Sequence, residues 1–299
     1  MATNSISFFS KKPLTCPVCD ADVYREELRT GRGRLNAGDL SVELRRRYIP
    51  SKKYGRVNPL NYPVTVCPSC LYAAFHEDFS SPPDSVVHAV ESSTEQRSET
   101  VEDLFGQLDF SEPRDDVHGC ASYYLATSCY EHFPLESSPT IKRGLCMLRA
   151  AWICNDLESE RPGENWAYLA NVFYRKARFY YTLAVEREQS GEEAMSAVSR
   201  LGPDLDKDYG YDGVLYVYGL LEFRHGPRGN EAQREKSLNN AKRTVARLFG
   251  MGKASKNKPA AILDNARDLY EQIAEELGSS TSAESGTESG VESGEESGE

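Results

Sequence analysis

Apolar positions recur at helical spacing through most of the chain beyond about residue 115. Val117, Cys120, Ala121, Tyr124 and Leu125 fall at i, i+3, i+4, i+7 and i+8, which predicts one buried face of a helix. Ile141, Leu145, Leu148 and Trp152 repeat the pattern, with Ser138 as the expected N-cap and Pro139 at the first helical position. A third helix is expected from about Glu164 to Glu188, striped by Trp166, Leu169, Ala170, Phe173, Ala177, Tyr180, Tyr181 and Ala184. A fourth carries Val214, Leu215, Tyr218 and Leu221 and stops at Gly226; a fifth carries Leu238, Ala241, Val245 and Leu248 and stops at Gly250. The sixth, with Ile262, Ala266, Leu269, Ile273 and Leu277, begins at Pro259 and ends at Gly278, since glycine accepts the left-handed stop without a Cβ clash. A shorter helix is expected near Glu192–Arg200.

Successive amphipathic helices with short connections bury their stripes against their neighbours. Ala177, Tyr181 and Ala184, and the pair Gly219 and Gly226, match parts of a tetratricopeptide unit, although no 34-residue period holds. The expectation is a tetratricopeptide-like stack of hairpins, with another helical bundle as the alternative. Before these helices, Tyr62–Val66 alternates as a strand does. Residues 80–114 hold Ser81-Pro82-Pro83, a Ser/Thr/Glu-rich middle and Glu112-Pro113, and predict a linker with one short helix from Asp84 to about Phe105. From Ser279 to Glu299 the chain repeats Glu-Ser-Gly and has little apolar surface to offset the entropy of ordering, so it is expected to be disordered. The organisation is therefore mainly α: a small head (1–79), a linker (80–114), a helical domain (115–278) and an acidic tail (279–299).

Composition changes this picture in two respects. No apolar run approaches the roughly 20 residues of a membrane helix, and the N-terminus lacks an export signal, so a cytoplasmic protein with reduced cysteines and no membrane insertion is expected. The net charge of −11 argues against general nucleic-acid binding, but it is uneven. The tail holds six glutamates and no Lys or Arg, whereas Asp20–Val66 holds ten Lys or Arg against six Asp or Glu.

That basic stretch lies between two copies of Cys-Pro-x-Cys, Cys16-Pro17-Val18-Cys19 and Cys67-Pro68-Ser69-Cys70. Two thiolates on one tight turn occupy half of a tetrahedron, and a second such turn completes it. The 47 intervening residues exceed the usual spacing of about 15–20, but closing the longer loop costs only about 1 kcal/mol more, against roughly 10–16 kcal/mol from structural zinc in small peptides. A redox pair needs a βαβ setting that neither motif has; iron fits the same ligands. A structural Zn²⁺ on Cys16, Cys19, Cys67 and Cys70 is the expectation, and its closed shell leaves no position for substrate. Zinc knuckles often place glycine after the second cysteine. Here Asp20 and Leu71 stand there, and Leu71 predicts a less regular second turn.

The chain resembles the bacterial family known as domain of unknown function 2225. The likeness rests on Lys12-Pro13-Leu14-Thr15-Cys16-Pro17-Val18-Cys19, Asn58-Pro59-Leu60-Asn61-Tyr62, Val66-Cys67-Pro68-Ser69-Cys70, Tyr72-Ala73-Ala74-Phe75, and Leu148, Ala151 and Trp152 in the helical body. The resemblance implies a zinc-ribbon-like head joined to tetratricopeptide-like helices, and it implies no reaction.

Other constellations carry less. Cys120, Cys129, Cys146 and Cys154 are expected as core thiols, and His76, the histidine nearest the head, as at most a spare ligand. Gly250-Met251-Gly252-Lys253-Ala254 lacks the first glycine and the Ser or Thr of a phosphate loop, and no other catalytic signature is present, so no enzyme is expected. Seventeen tyrosines exceed what a core of this size usually buries, which points to a groove for a protein partner with Tyr168, Tyr174 and Tyr216 as candidate contacts. The expected function is a zinc-stabilised scaffold or adaptor between proteins. The alternative is a nucleic-acid or ribonucleoprotein adaptor reading phosphates with Arg45, Arg46, Arg47, Lys52 and Lys53.

Overall fold

The computed structural model describes residues 6–249 and 260–287. The head is built from four two-stranded antiparallel ladders' worth of short strands: β1 (Ser7–Phe9) pairs β4 (Glu26–Leu28), β2 (Leu14–Thr15) pairs β3 (Asp22–Val23), β5 (Ala37–Leu40) pairs β6 (Arg46–Tyr48), and β7 (Val64–Val66) pairs β8 (Ala73–Phe75). The last ladder pairs Val64 with Phe75 and Val66 with Ala73. Every residue of β7 and β8 is buried, because the ladder packs on the helix α4 (Asp116–Tyr130) instead of facing water on one side.

A short helix α1 (His76–Phe79) leads into α2 (Asp84–Ser92) and α3 (Thr94–Phe105). The stretch expected as a linker is thus two packed helices, with Val86, Val90, Val101 and Phe105 buried. Its apolar residues are few, but they share a face, and the polar remainder covers the solvent side.

The helical body follows the predicted stripes. α4 packs on α5 (Pro139–Glu160), and α5 on α6 (Trp166–Ser190). Lying between these neighbours, α5 is buried almost all round from Ile141 to Cys154. Ser138 precedes α5 but does not cap it: its φ is 53° and its hydroxyl donates to the carbonyl of Ala194. The helix expected near residue 192 is a single 3-10 turn, Met195–Ala197.

The chain divides into two compact units, one up to Val214 and one from Leu215. The second contains most of α7 (Gly210–His225), α8 (Glu231–Phe249) and α9 (Ala260–Thr287). Its core is Leu238, Ala241, Val245 and Leu248 against Ile262, Ala266, Leu269 and Ile273. Gly219 permits the close approach here, since a Cβ would lie 2.3 Å from Val245 Cγ2. The α9 backbone continues past the expected stop at Gly278 to Thr287. The expected boundaries at Gly250 and Pro259, the phosphate-loop look-alike and the tail from residue 288 lie outside the described residues. Among the described residues no helix is long and apolar enough to cross a membrane.

Candidate metal centre

Each cysteine pair sits at the tip of an antiparallel ladder, β2–β3 for the first and β7–β8 for the second. The two turns are built alike. Cys16 N–H donates to Ala21 O at 2.9 Å and Asp20 N–H to Cys16 O at 3.0 Å; Cys67 N–H donates to Tyr72 O at 2.9 Å and Leu71 N–H to Cys67 O at 3.0 Å. Both non-glycine residues adopt the left-handed conformation, Asp20 at φ 59° and Leu71 at φ 56°. The second turn is therefore as regular as the first, contrary to the expectation from Leu71. The ladder's hydrogen bonds hold Leu71 there despite a cost of about 1–2 kcal/mol for an L-residue in that region.

The turns bring all four sulfurs together. Cys16 and Cys70 Sγ are 3.6 Å apart, Cys19 and Cys67 Sγ are 3.6 Å apart, and the four lie within 4.8 Å of one another. A tetrahedron with metal–sulfur bonds of about 2.3 Å has edges of about 3.8 Å, so the cluster has the dimensions to hold a metal ion. Its electrostatics also favour a cation. Hydrogen bonding from Cys16, then from Cys70, pulls the Cys67 thiol far down, while the bond to Cys67 pushes Cys16 up and the contacts with Cys16 and Cys67 push Cys70 up. Four thiols this close cannot all ionise without a positive charge among them. Three of the four are buried, and Cys19 faces solvent. Behind the second turn, the buried Arg97 of α3 donates through Nη2 to Cys70 O at 2.9 Å and through Nη1 to Val90 O at 2.5 Å, which ties the centre to α2–α3.

His76 is not one of the group. Its Nδ1 lies 2.6 Å from Thr65 Oγ1, and burial, with Arg25 and Arg114 nearby, lowers its pKa to about 4. The other cysteines are core thiols: all four are buried, Cys120 and Cys154 Sγ are 3.2 Å apart, and Cys129 Sγ accepts from Ala73 N–H at 3.4 Å. Among the described residues, only the first four cysteines form a set of metal-ligating side chains.

The Asn-Pro segment and the basic insertion both anchor the head to the helices. Asn58 and Asn61 donate to Asp116 Oδ1 at 3.1 and 2.8 Å. Arg45 is buried against Asp156 (Nη1 to Oδ1, 3.1 Å) and the Trp152 carbonyl (3.1 Å). Arg46 pairs with Asp206 at 2.8 Å, which raises its pKa further, and Arg56 reaches Glu160 at 2.8 Å and Asp156 at 3.3 Å. Of the expected basic patch, Arg47, Lys52 and Lys53 are exposed, whereas Arg45 and Arg46 are engaged by acids. The expected tyrosine contacts also separate. Tyr168 is 70% exposed, but Tyr174 and Tyr216 are buried. Tyr174 OH donates to Glu43 Oε2 at 2.9 Å and accepts from Asn155 Nδ2, so its hydroxyl is satisfied inside the fold. For Tyr174 the partner that satisfies the hydroxyl comes from 131 positions away in sequence, so composition alone could not place it inside the fold.

A family model described as an uncharacterized protein conserved in bacteria (DUF2225) matches residues 9–273. A Borreliella burgdorferi protein, described only as uncharacterized, is 42% identical over 272 residues, covering 91% of this chain and 98% of that protein. No solved structure matches the chain.

Proposed function

The chain belongs to this DUF2225 family, and from the geometry of its head we propose that Cys16, Cys19, Cys67 and Cys70 hold one structural zinc ion in a zinc-ribbon-like head, within a non-enzymatic helical module that binds another protein. The observation that carries the metal reading is the duplicated turn, which presents two thiols twice with the same hydrogen bonds and closes the shell on all four sides. A closed thiolate shell gives zinc a structural role and offers no site for substrate.

The partner reading rests on α6. Tyr168 and Phe179 are 70% and 54% exposed and stand eleven residues apart, about three helical turns, so they share one outward face with Arg175 between them. Exposed aromatics flanking an arginine are the side chains that dominate protein–protein contacts. This face replaces the Tyr168, Tyr174 and Tyr216 set. The nucleic-acid reading is weakened, because two of the arginines it relies on, Arg45 and Arg46, are held by Asp156 and Asp206.

Metal analysis of purified protein is expected to give one zinc per chain, lost in Cys16→Ser and Cys67→Ser. A 1:1 iron content, or a well-folded sample without metal, refutes the zinc assignment. For the partner, the Tyr168→Ala/Phe179→Ala double variant is expected to keep its melting temperature and lose the proteins that co-purify with the wild type from native cells. A folded double variant that retains all of them refutes the α6 surface.

A further inference from the structure

Charged side chains that leave water in this fold are usually met by a group of opposite sign. Five basic side chains are buried among the described residues: Arg45, Arg97, Lys142, Arg149 and Arg234. Three have carboxylates: Arg45 has Asp156, Lys142 has Asp78 at 2.7 Å, and Arg234 has Glu276 at 2.8 Å. Arg97 and Arg149, each 4% exposed, have no carboxylate at ion-pair distance among the described residues. A buried charge without a counter-charge is costly, so each exception asks where its anion is. For Arg97 the answer lies next to it, since it is bonded to the Cys70 carbonyl and four thiolates on a divalent ion carry a net negative charge.

Arg149, on α5, has no carboxylate bonded to it among the described residues: the buried Asp204, next to Pro203, spends its two oxygens on the backbone N–H groups of Arg46 and Leu205. Its Nε donates to Pro203 O at 2.8 Å and its Nη2 to Gly202 O at 3.3 Å, and its guanidinium lies over the rings of Phe75 (5.5 Å) and Tyr123 (5.9 Å). It also lines a cavity of about 410 Å³ within the first compact unit. That volume falls in the range of small-molecule sites, roughly 300–1,000 Å³. The walls are largely apolar, including Leu28, Tyr62, Phe75, Leu145 and Val198. Of the other charged groups that line it, Arg25 is neutralised by Glu27, Glu77 accepts from Ser199, and Arg200 has no carboxylate partner among the described residues. Apolar walls around one buried, uncompensated guanidinium suit a ligand with an apolar body and one carboxylate. An inorganic anion would leave the walls unused, and a neutral apolar molecule would leave the charge unanswered.

We propose that this cavity binds a small organic carboxylate, with its carboxylate on Arg149 and its apolar part against Leu28, Tyr62, Phe75 and Leu145. The site is separate from the α6 surface and from the metal centre, and it does not depend on either reading.

Titration of the full chain as purified with hexanoate, hexanol and inorganic phosphate tests it, read by calorimetry and by the melting temperature. Hexanoate is expected to bind 1:1 and to raise the melting temperature, with hexanol and phosphate each weaker by roughly tenfold or more, the order expected when a charge-assisted pair is lost. Arg149→Met should weaken hexanoate by a similar factor. Val198→Trp fills the cavity while leaving Arg149 in place and is expected to abolish binding in a folded protein, so it decides the matter if Arg149→Met does not fold. Failure of wild type to bind hexanoate, equal binding of hexanol or phosphate, or undiminished binding by folded Val198→Trp overturns the proposal.

Discussion

His76 shows how a side chain that sequence analysis ranks as a spare ligand acquires another role. Its ring is largely buried beside Thr65, and desolvation, with Arg25 and Arg114 close by, holds its pKa near 4 in place of the usual value of about 6.5. The folded state thus binds fewer protons than the unfolded state between these values, and stability must rise with pH there. The contribution is complete above about pH 6.5, is lost as pH falls towards 4, and amounts to at most about 3 kcal/mol. Urea unfolding at pH 7 and pH 4.5 is expected to show a smaller loss in His76→Gln than in the wild type. Any acid release of metal is common to both proteins and cancels in that difference. Equal losses would show that the ring is not the titrating group.

At the level of elements, Gly119 in α4 marks where the head meets the helices. A Cβ there would lie 2.3 Å from Asn61 Oδ1 and 3.1 Å from Asn61 Cα, so the helix can approach the 3-10 turn Pro59–Asn61 only without a side chain. Gly119→Ala is expected to destabilise by about 1–3 kcal/mol through overpacking, despite alanine's better helix propensity. A denaturation midpoint equal to or above that of the wild type would contradict the close approach. Hydrophobic period made α4–α6 legible in advance because their stripes are long and nearly uninterrupted. The stretch that holds α2 and α3 was legible only as one short helix in a linker, because the buried set is small and Arg97 reads as one more polar residue. The sequence pattern also misjudged Tyr174 and Arg45, since their partners, Glu43 and Asp156, come from distant parts of the chain. The cysteine cluster was the easiest feature to read, as its residue types and spacing already point to four sulfurs brought together. Arg149 and its cavity left no trace in the pattern.

Across the whole molecule, the metal centre and the helical body are expected to respond differently to a chelator. The body has its own core around α5, whereas the β2–β3 and β7–β8 tips are held together at the cysteine cluster. Stripping the ion is expected to lower the melting temperature while far-ultraviolet circular dichroism keeps most of its helical signal at 25 °C. Loss of the helical signal in parallel with the metal would mean that the body cannot stand without the head.

The long separations across the anchoring contacts also set an order of events during synthesis. The first cysteine pair emerges early and can close on the second once residue 70 is out, when neither α4 nor α5 yet exists. The ion pairs of Arg45 and Arg46 must wait for Asp156 and Asp206, 111 and 160 residues further on. On the ribosome, the cysteine cluster is therefore the first long-range clasp the nascent chain can fasten, and the arginines lock the finished head onto segments made afterwards.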